Sequence, residues 1–138
     1  MKLLVDNIKW VMLVSGALTC TMVYAAIAPD AALTSNFGET LDGPVAAVVV
    51  RNWGALIALI GGMLIYGAFH APSRALALVV ASASKVVFIG LVVAQGQRFM
   101  EHQAGTAVAI DCVMVALFAI YLIGSGDALQ NRADPRRL

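Results

Sequence analysis

Charge is what this chain has least of. Its 138 residues include 9 Lys or Arg and 8 Asp or Glu, 12% charged in all, where a soluble domain carries about 25%. The net charge of +1 leaves no basic footprint of the kind a nucleic-acid binder presents. Cysteine is held to 2 residues. Cys20 and Cys112 both fall inside apolar runs and form no C-x-x-C pair, so neither a zinc centre nor a redox couple is expected. They read as small buried hydrophobes. His70 and His102 belong to opposite ends of the chain's expected layout and so do not share a metal, and Glu101-His102 alone is too short a motif for one. There is no Gly-rich phosphate loop, nucleophile–base pair or pair of neighbouring carboxylates. No metal or cofactor is expected, and binding is favoured over catalysis. No internal repeat is present, which argues against an inverted-repeat transporter.

What the chain has instead is long apolar runs. Hydrophobic residues make up 61% of it, and its mean hydropathy is +0.87. Four runs approach or exceed the about 20 residues needed to cross a bilayer: 10–28, 45–69, 75–94 and 106–125. The first resembles a secretory signal, with Ala26-Ile27-Ala28 as a cleavage site. It is longer than an ordinary signal core of about 7–15 residues, and Asp6 dilutes its basic lead, so it is expected to remain as a helix. Residues 29–44 form the longest polar connection, acidic and without Lys or Arg. Part of it has helical spacing and suits a surface helix. His70 to Arg74 reads as a tight turn, 95–105 as a polar turn and 126–138 as a polar tail.

These features predict an all-α protein: an integral membrane four-helix bundle forming one domain over residues 1–138. Lys2, Lys9, Arg74, Arg132, Arg136 and Arg137 fall at one end and Arg98 at the other. By the positive-inside rule both termini are then cytoplasmic.

Three charges interrupt the apolar runs. At 1.5 Å per residue, Arg51 lies about 9 Å from the outer end of its span, Asp111 about 7.5 Å and Lys85 about 13.5 Å. Charges so placed are costly unless they meet a partner, water or the interface. The depths predict a cluster of Arg51, Lys85 and Asp111 in the outer half of the bundle. Its excess positive charge is available to Glu39, Asp42, Glu101 or a ligand. Arg51, Ala55, Ala58 and Gly62 share one helical face, which suits close helix contact. Asn52 and Trp53 lie beside the arginine. The candidate ligand-binding residues are therefore Arg51, Asn52, Trp53, Lys85 and Asp111. Two plainer readings stand beside this one: Arg51 snorkels to the headgroups, and Lys85 and Asp111 only fix helix register.

The segments Phe37-Gly38-Glu39-Thr40-Leu41-Asp42-Gly43-Pro44 and Arg51-Asn52-Trp53-Gly54, together with the order of spans, resemble the DoxX-like group of small four-helix bacterial membrane proteins. The chain departs from that group in carrying Lys85 and Asp111 deep in its later spans. The resemblance implies a multi-pass protein of the bacterial inner membrane, and its members are linked to quinone- or sulfur-linked redox complexes. Three functions compete. One is binding of a small hydrophobic or amphiphilic molecule such as a lipid, quinone or isoprenoid. A second is an accessory subunit of a larger membrane complex, and a third a proton- or ion-coupled carrier. The expected partners are the lipid bilayer, a hydrophobic small molecule or a membrane complex, and a second copy of the chain, with no nucleic acid.

Overall fold

The computed structural model describes the backbone of residues 2–133 and the side chains of residues 6–125. Among the described residues every regular element is a helix. In order they are α1 (Lys2–Cys20), α2 (Val23–Ile27), α3 (Pro29–Phe37), α4 (Pro44–Phe69), α5 (Ala71–Ala94), α6 (Gln97–Met100) and α7 (Gln103–Ala133). Lys2, Arg132, Arg136 and Arg137, which set the expected orientation, lie outside the described side chains, as does the tail 126–138.

Four stretches are long and apolar enough to cross a membrane: Asp6–Ile27, Pro44–Phe69, Ala71–Ala94 and Gln103–Ser125. The polarity of the bundle is inverted relative to a soluble protein. Val14, Val48, Leu59, Val87, Leu91 and Ile123 face outward and are well exposed, while Ser15, Thr19 and Lys85 are buried. Water penalises that arrangement. A hydrocarbon solvent favours it, because apolar side chains lose nothing there and charges must be satisfied inside.

The helices form a ring in which α1 packs on α4, α4 on α5, and α5 on α7, with a looser closure of α7 onto α1. Short connections enforce this antiparallel order. Only His70 separates α4 from α5. The third span thus begins at Ala71, inside the expected turn, because Pro72 occupies the first turn of α5, where a missing N–H costs nothing. Arg74 ties this corner down by donating to the Gly67 and Ala68 carbonyls at the end of α4, at 3.3 and 3.2 Å. Ile8, Met12, Leu64, Leu78, Met114 and Phe118 fill the core toward this end.

The first span arrives in two pieces. Between α1 and α2, the amides of Thr21 and Met22 bond to carbonyls three residues back, at 3.3 and 3.2 Å. The Thr21 hydroxyl also takes the Leu18 carbonyl at 2.6 Å. A hydroxyl competing for a backbone carbonyl is a recognised way to tighten and bend a helix. Beyond the bend, α3 folds back over the opposite end of the bundle and buries Ala32, Leu33 and Asn36. It ends at Gly38, whose φ is +73°, and a side chain there would collide with the His102 ring. Phe37 of α3 packs against Trp53 and Phe99, with ring centroids 6.0 and 5.2 Å away.

Close approach of α1 and α4 depends on glycine. A methyl group placed on Gly61 would lie 2.7 Å from the Cys20 amide nitrogen and 2.8 Å from the Gly16 carbonyl. One on Gly54 would lie 2.7 Å from the Ala26 nitrogen. The contact face expected from Arg51, Ala55, Ala58 and Gly62 is thus displaced by one position. Gly62 is exposed, and nothing lies within 4 Å of a methyl group placed on it. The pair Gly61→Ala and Gly62→Ala tests this placement in detergent-solubilised protein by thermal melting. Gly61→Ala is expected to cost about 1–3 kcal/mol through overpacking, whereas Gly62→Ala is neutral or slightly stabilising through helix propensity. Equal melting of the two variants would refute the glycine crossing.

Candidate ligand-binding site

Lys85 belongs to the buried stripe of α5, in line with Ala77, Leu78, Ala81 and Val92. Because its whole helix face is apolar and inward, the ammonium group has no route to solvent along its own helix. It finds Asp111 across the bundle on α7, and the two side chains form an ion pair through Asp111 Oδ1. Their side chains are only 9% and 14% exposed, respectively, so neither charge is solvated well enough to stand alone. The Lys85 ammonium also donates to Thr19 Oγ1 at 3.4 Å. One lysine thus joins α1, α5 and α7. A buried pair of this kind gives little net stability over an apolar substitute, but leaving one partner alone is expensive.

The pair does not fill the space around it. A cavity of about 440 Å³ lies beside it, within the range of about 300–1,000 Å³ typical of small-molecule sites. Ile57, Ile60 and Trp53 wall it from α4, and Phe88 and Ser84 from α5. Asn36 of α3 covers it, its amide donating to the Ala32 carbonyl at 2.9 Å. The wall from α7 includes Gln103, Ala107, Ile110 and Met114. Most of the lining is apolar; Lys85, Asp111 and Thr19 meet at one point of it, and Asn36, Ser84, Gln103, Thr21 and Thr106 add polar groups elsewhere.

Exposure along the lining locates the opening. The lining residues on α4 and α5 are buried or half-buried. Leu18 and Thr21 on one side, and Gln103, Thr106 and Ile110 on the other, are exposed. The mouth is therefore the loose seam between α1 and α7, on the flank of the bundle. In a membrane such an opening faces lipid.

Of the residues marked out by sequence, Lys85, Asp111 and Trp53 line this cavity. Arg51 and Asn52 do not; both are exposed on α4. The expected three-charge cluster is accordingly a two-charge pair. Arg51 instead donates to the Ala26 and Ile27 carbonyls at the end of α2, at 2.6 and 3.4 Å. α2 stops at Ile27, ahead of Pro29, which leaves those carbonyls free at a helix end, and a guanidinium is well suited to cover them. Glu39, one of the expected counter-charges, is held by Arg98 at 2.7 Å. Thr19 and Asn36 were missed as site residues. Ser15 and Thr19, one turn apart in an apolar run, were the available hint for the former. Asn36 gave none, because it lies in a stretch that reads as a polar connection. Among the described residues no group of three or more His, Cys, Asp or Glu is placed to hold a metal ion.

Fold and site together define the class: a four-helix bundle with spans long and apolar enough to cross a membrane, and a buried ion pair beside an internal cavity. Comparison with protein-family models, curated proteins and solved structures found no match. The functional reading therefore rests on the chain's own geometry.

A double-mutant cycle measures what the pair contributes. Lys85→Met or Asp111→Leu alone should each lower stability by about 3–5 kcal/mol, because an unpaired charge remains buried. The combination Lys85→Met with Asp111→Leu should recover most of that loss. Additive single and double effects, read by thermal or denaturant unfolding in detergent, would show that the two side chains are not coupled.

Proposed function

We propose that the protein binds a small hydrophobic or amphiphilic molecule, of the lipid, quinone or isoprenoid kind, in the cavity beside Lys85 and Asp111. The observation that carries this reading is the cavity itself: apolar walls of ligand size with a buried ion pair on one side. A pair serving only helix register needs no such space beside it. Lys85 has three N–H donors, of which Asp111 and Thr19 engage two, so one is left for a ligand carbonyl or hydroxyl. Asp111 Oδ2 accepts no hydrogen bond from the described residues and is available to a ligand hydroxyl. The mouth between α1 and α7 lets such a molecule enter from the bilayer without crossing water. A bacterial inner membrane with both termini in the cytoplasm belongs to this same reading.

The two other roles draw less support. An accessory subunit could dock through the face of α4 on which Gly62 is exposed, but that role leaves the cavity beside the ion pair unexplained. A carrier needs a polar path beyond the ion pair. On the side toward the α4–α5 corner, the core is packed with Met12, Leu64, Leu78, Met114 and Phe118.

Native mass spectrometry of the purified protein tests the proposal. The wild type and Tyr66→Phe, a change on the exposed surface at the far end of α4, should both carry a co-purifying small molecule. Asp111→Asn should lose most of it, and so should the double variant Lys85→Met with Asp111→Leu, which retains most of the wild-type stability. A wild-type protein that is folded but empty after mild extraction would overturn the reading.

A further inference from the structure

The cavity does not end at its mouth. An apolar groove continues along the same α1–α7 seam, walled by Trp10, Val14, Val113 and Leu117. Ile110 and Met114 line both the cavity and the groove, so the two share a wall. Trp10 to Leu18 on α1 measures about 12 Å along the helix axis. The space thus carries the ion pair at one end and is apolar along the rest except for Ser15. Val14, Val113 and Trp10 are strongly exposed beside it, so the groove is open to lipid throughout. This is the seam where the ring of helices closes most loosely.

The charge of the cavity limits what its polar end accepts. Among the described residues Lys85 and Asp111 are the only charged ones that line it, and they neutralise one another. Arg51 is engaged by the carbonyls of α2, and Arg98 by Glu39. An anionic head would have to draw Lys85 away and strand the carboxylate among apolar walls. A cationic head would strand the lysine. An uncharged head that both accepts and donates hydrogen bonds avoids either penalty.

We infer that the α1–α7 seam holds the apolar tail of a single-chain amphiphile whose uncharged, hydrogen-bonding head reaches the Lys85–Asp111 pair. The inference rests on the binding role proposed above and adds the head's charge, the tail's number and its path. One seam between two helices provides one track, continuous with the mouth, and a second tail on the same head would have to turn back out of the mouth to reach lipid. Binding of this kind orders the loosest junction of the bundle, and Ile110 and Met114 contact the ligand where head meets tail.

Three probes that differ in one property at a time test it on the full chain in detergent: monooleoylglycerol, which is neutral with one chain; oleate, anionic with one chain; and dioleoylglycerol, neutral with two chains. Titration by native mass spectrometry should show one monooleoylglycerol per protein, held at least about tenfold more tightly than either other probe. Val113→Trp fills the groove from an exposed position, so the fold is expected to survive. It should weaken monooleoylglycerol at least about tenfold while the melting temperature of the empty protein stays unchanged. Equal or tighter binding of oleate would overturn the neutral-head assignment, and equal binding of dioleoylglycerol the single track. Undiminished binding to Val113→Trp would overturn the path of the tail. Any of these leaves the cavity as a binding site, because the co-purified molecule lost from Asp111→Asn judges that separately. Failure of all three probes to bind overturns the inference, and an empty wild type overturns the binding role itself.

Discussion

A lysine and an aspartate facing each other inside an apolar bundle set the terms for everything around them. Neither charge is tolerable alone at that depth, so α5 and α7 are committed to one rotation and one register. Thr19 extends the commitment to α1. The rest of the interior is arranged about this point: a tightly packed apolar core toward the α4–α5 corner, and a cavity toward the end covered by α3. That division gives the pair one dry side and one open side. Charge inside and hydrocarbon outside is one consistent answer to a solvent that offers no hydrogen bonds.

The corners of the molecule follow a common device. At two helix ends that leave bare carbonyl groups, an arginine covers them. Arg74 does so at the end of α4, and Arg51 at the end of α2. Both side chains span a discontinuity in the backbone, and neither enters the cavity. These two arginines therefore act as clasps on the backbone, while Lys85 is carried into the interior.

Much of this could be read from the amino-acid pattern. The four apolar runs marked the four spans, because length and hydropathy are what a bilayer demands of a helix. The depths of Lys85 and Asp111 placed them at compatible levels, and both proved to lie on inward faces. Depth is only one coordinate, however. Arg51 has a compatible depth but points elsewhere, because α2 stops at Ile27 and leaves carbonyl groups within its reach. The short α2 follows a break at Thr21 and Met22, where a hydroxyl takes a backbone acceptor, an event with no periodic signature. The same limit explains Gly62: its face was judged by spacing from Arg51, whereas the packed face is centred on Gly54 and Gly61. Asn36 joined the site only because α3 folds back over the bundle, a tertiary event invisible in a polar connection.

The ion pair also has a consequence for how the protein comes to be made. Lys85 and Asp111 are 26 positions apart, and the lysine is synthesised first. As α5 enters the bilayer its ammonium group has Thr19 for company and no counter-charge. The third span is therefore poorly suited to resting in lipid by itself and becomes comfortable only when the fourth arrives. Insertion of the two as a hairpin, with the charges already joined, spares the membrane an isolated cation. A structural contact in the finished bundle thereby dictates an order of events at the translocation machinery.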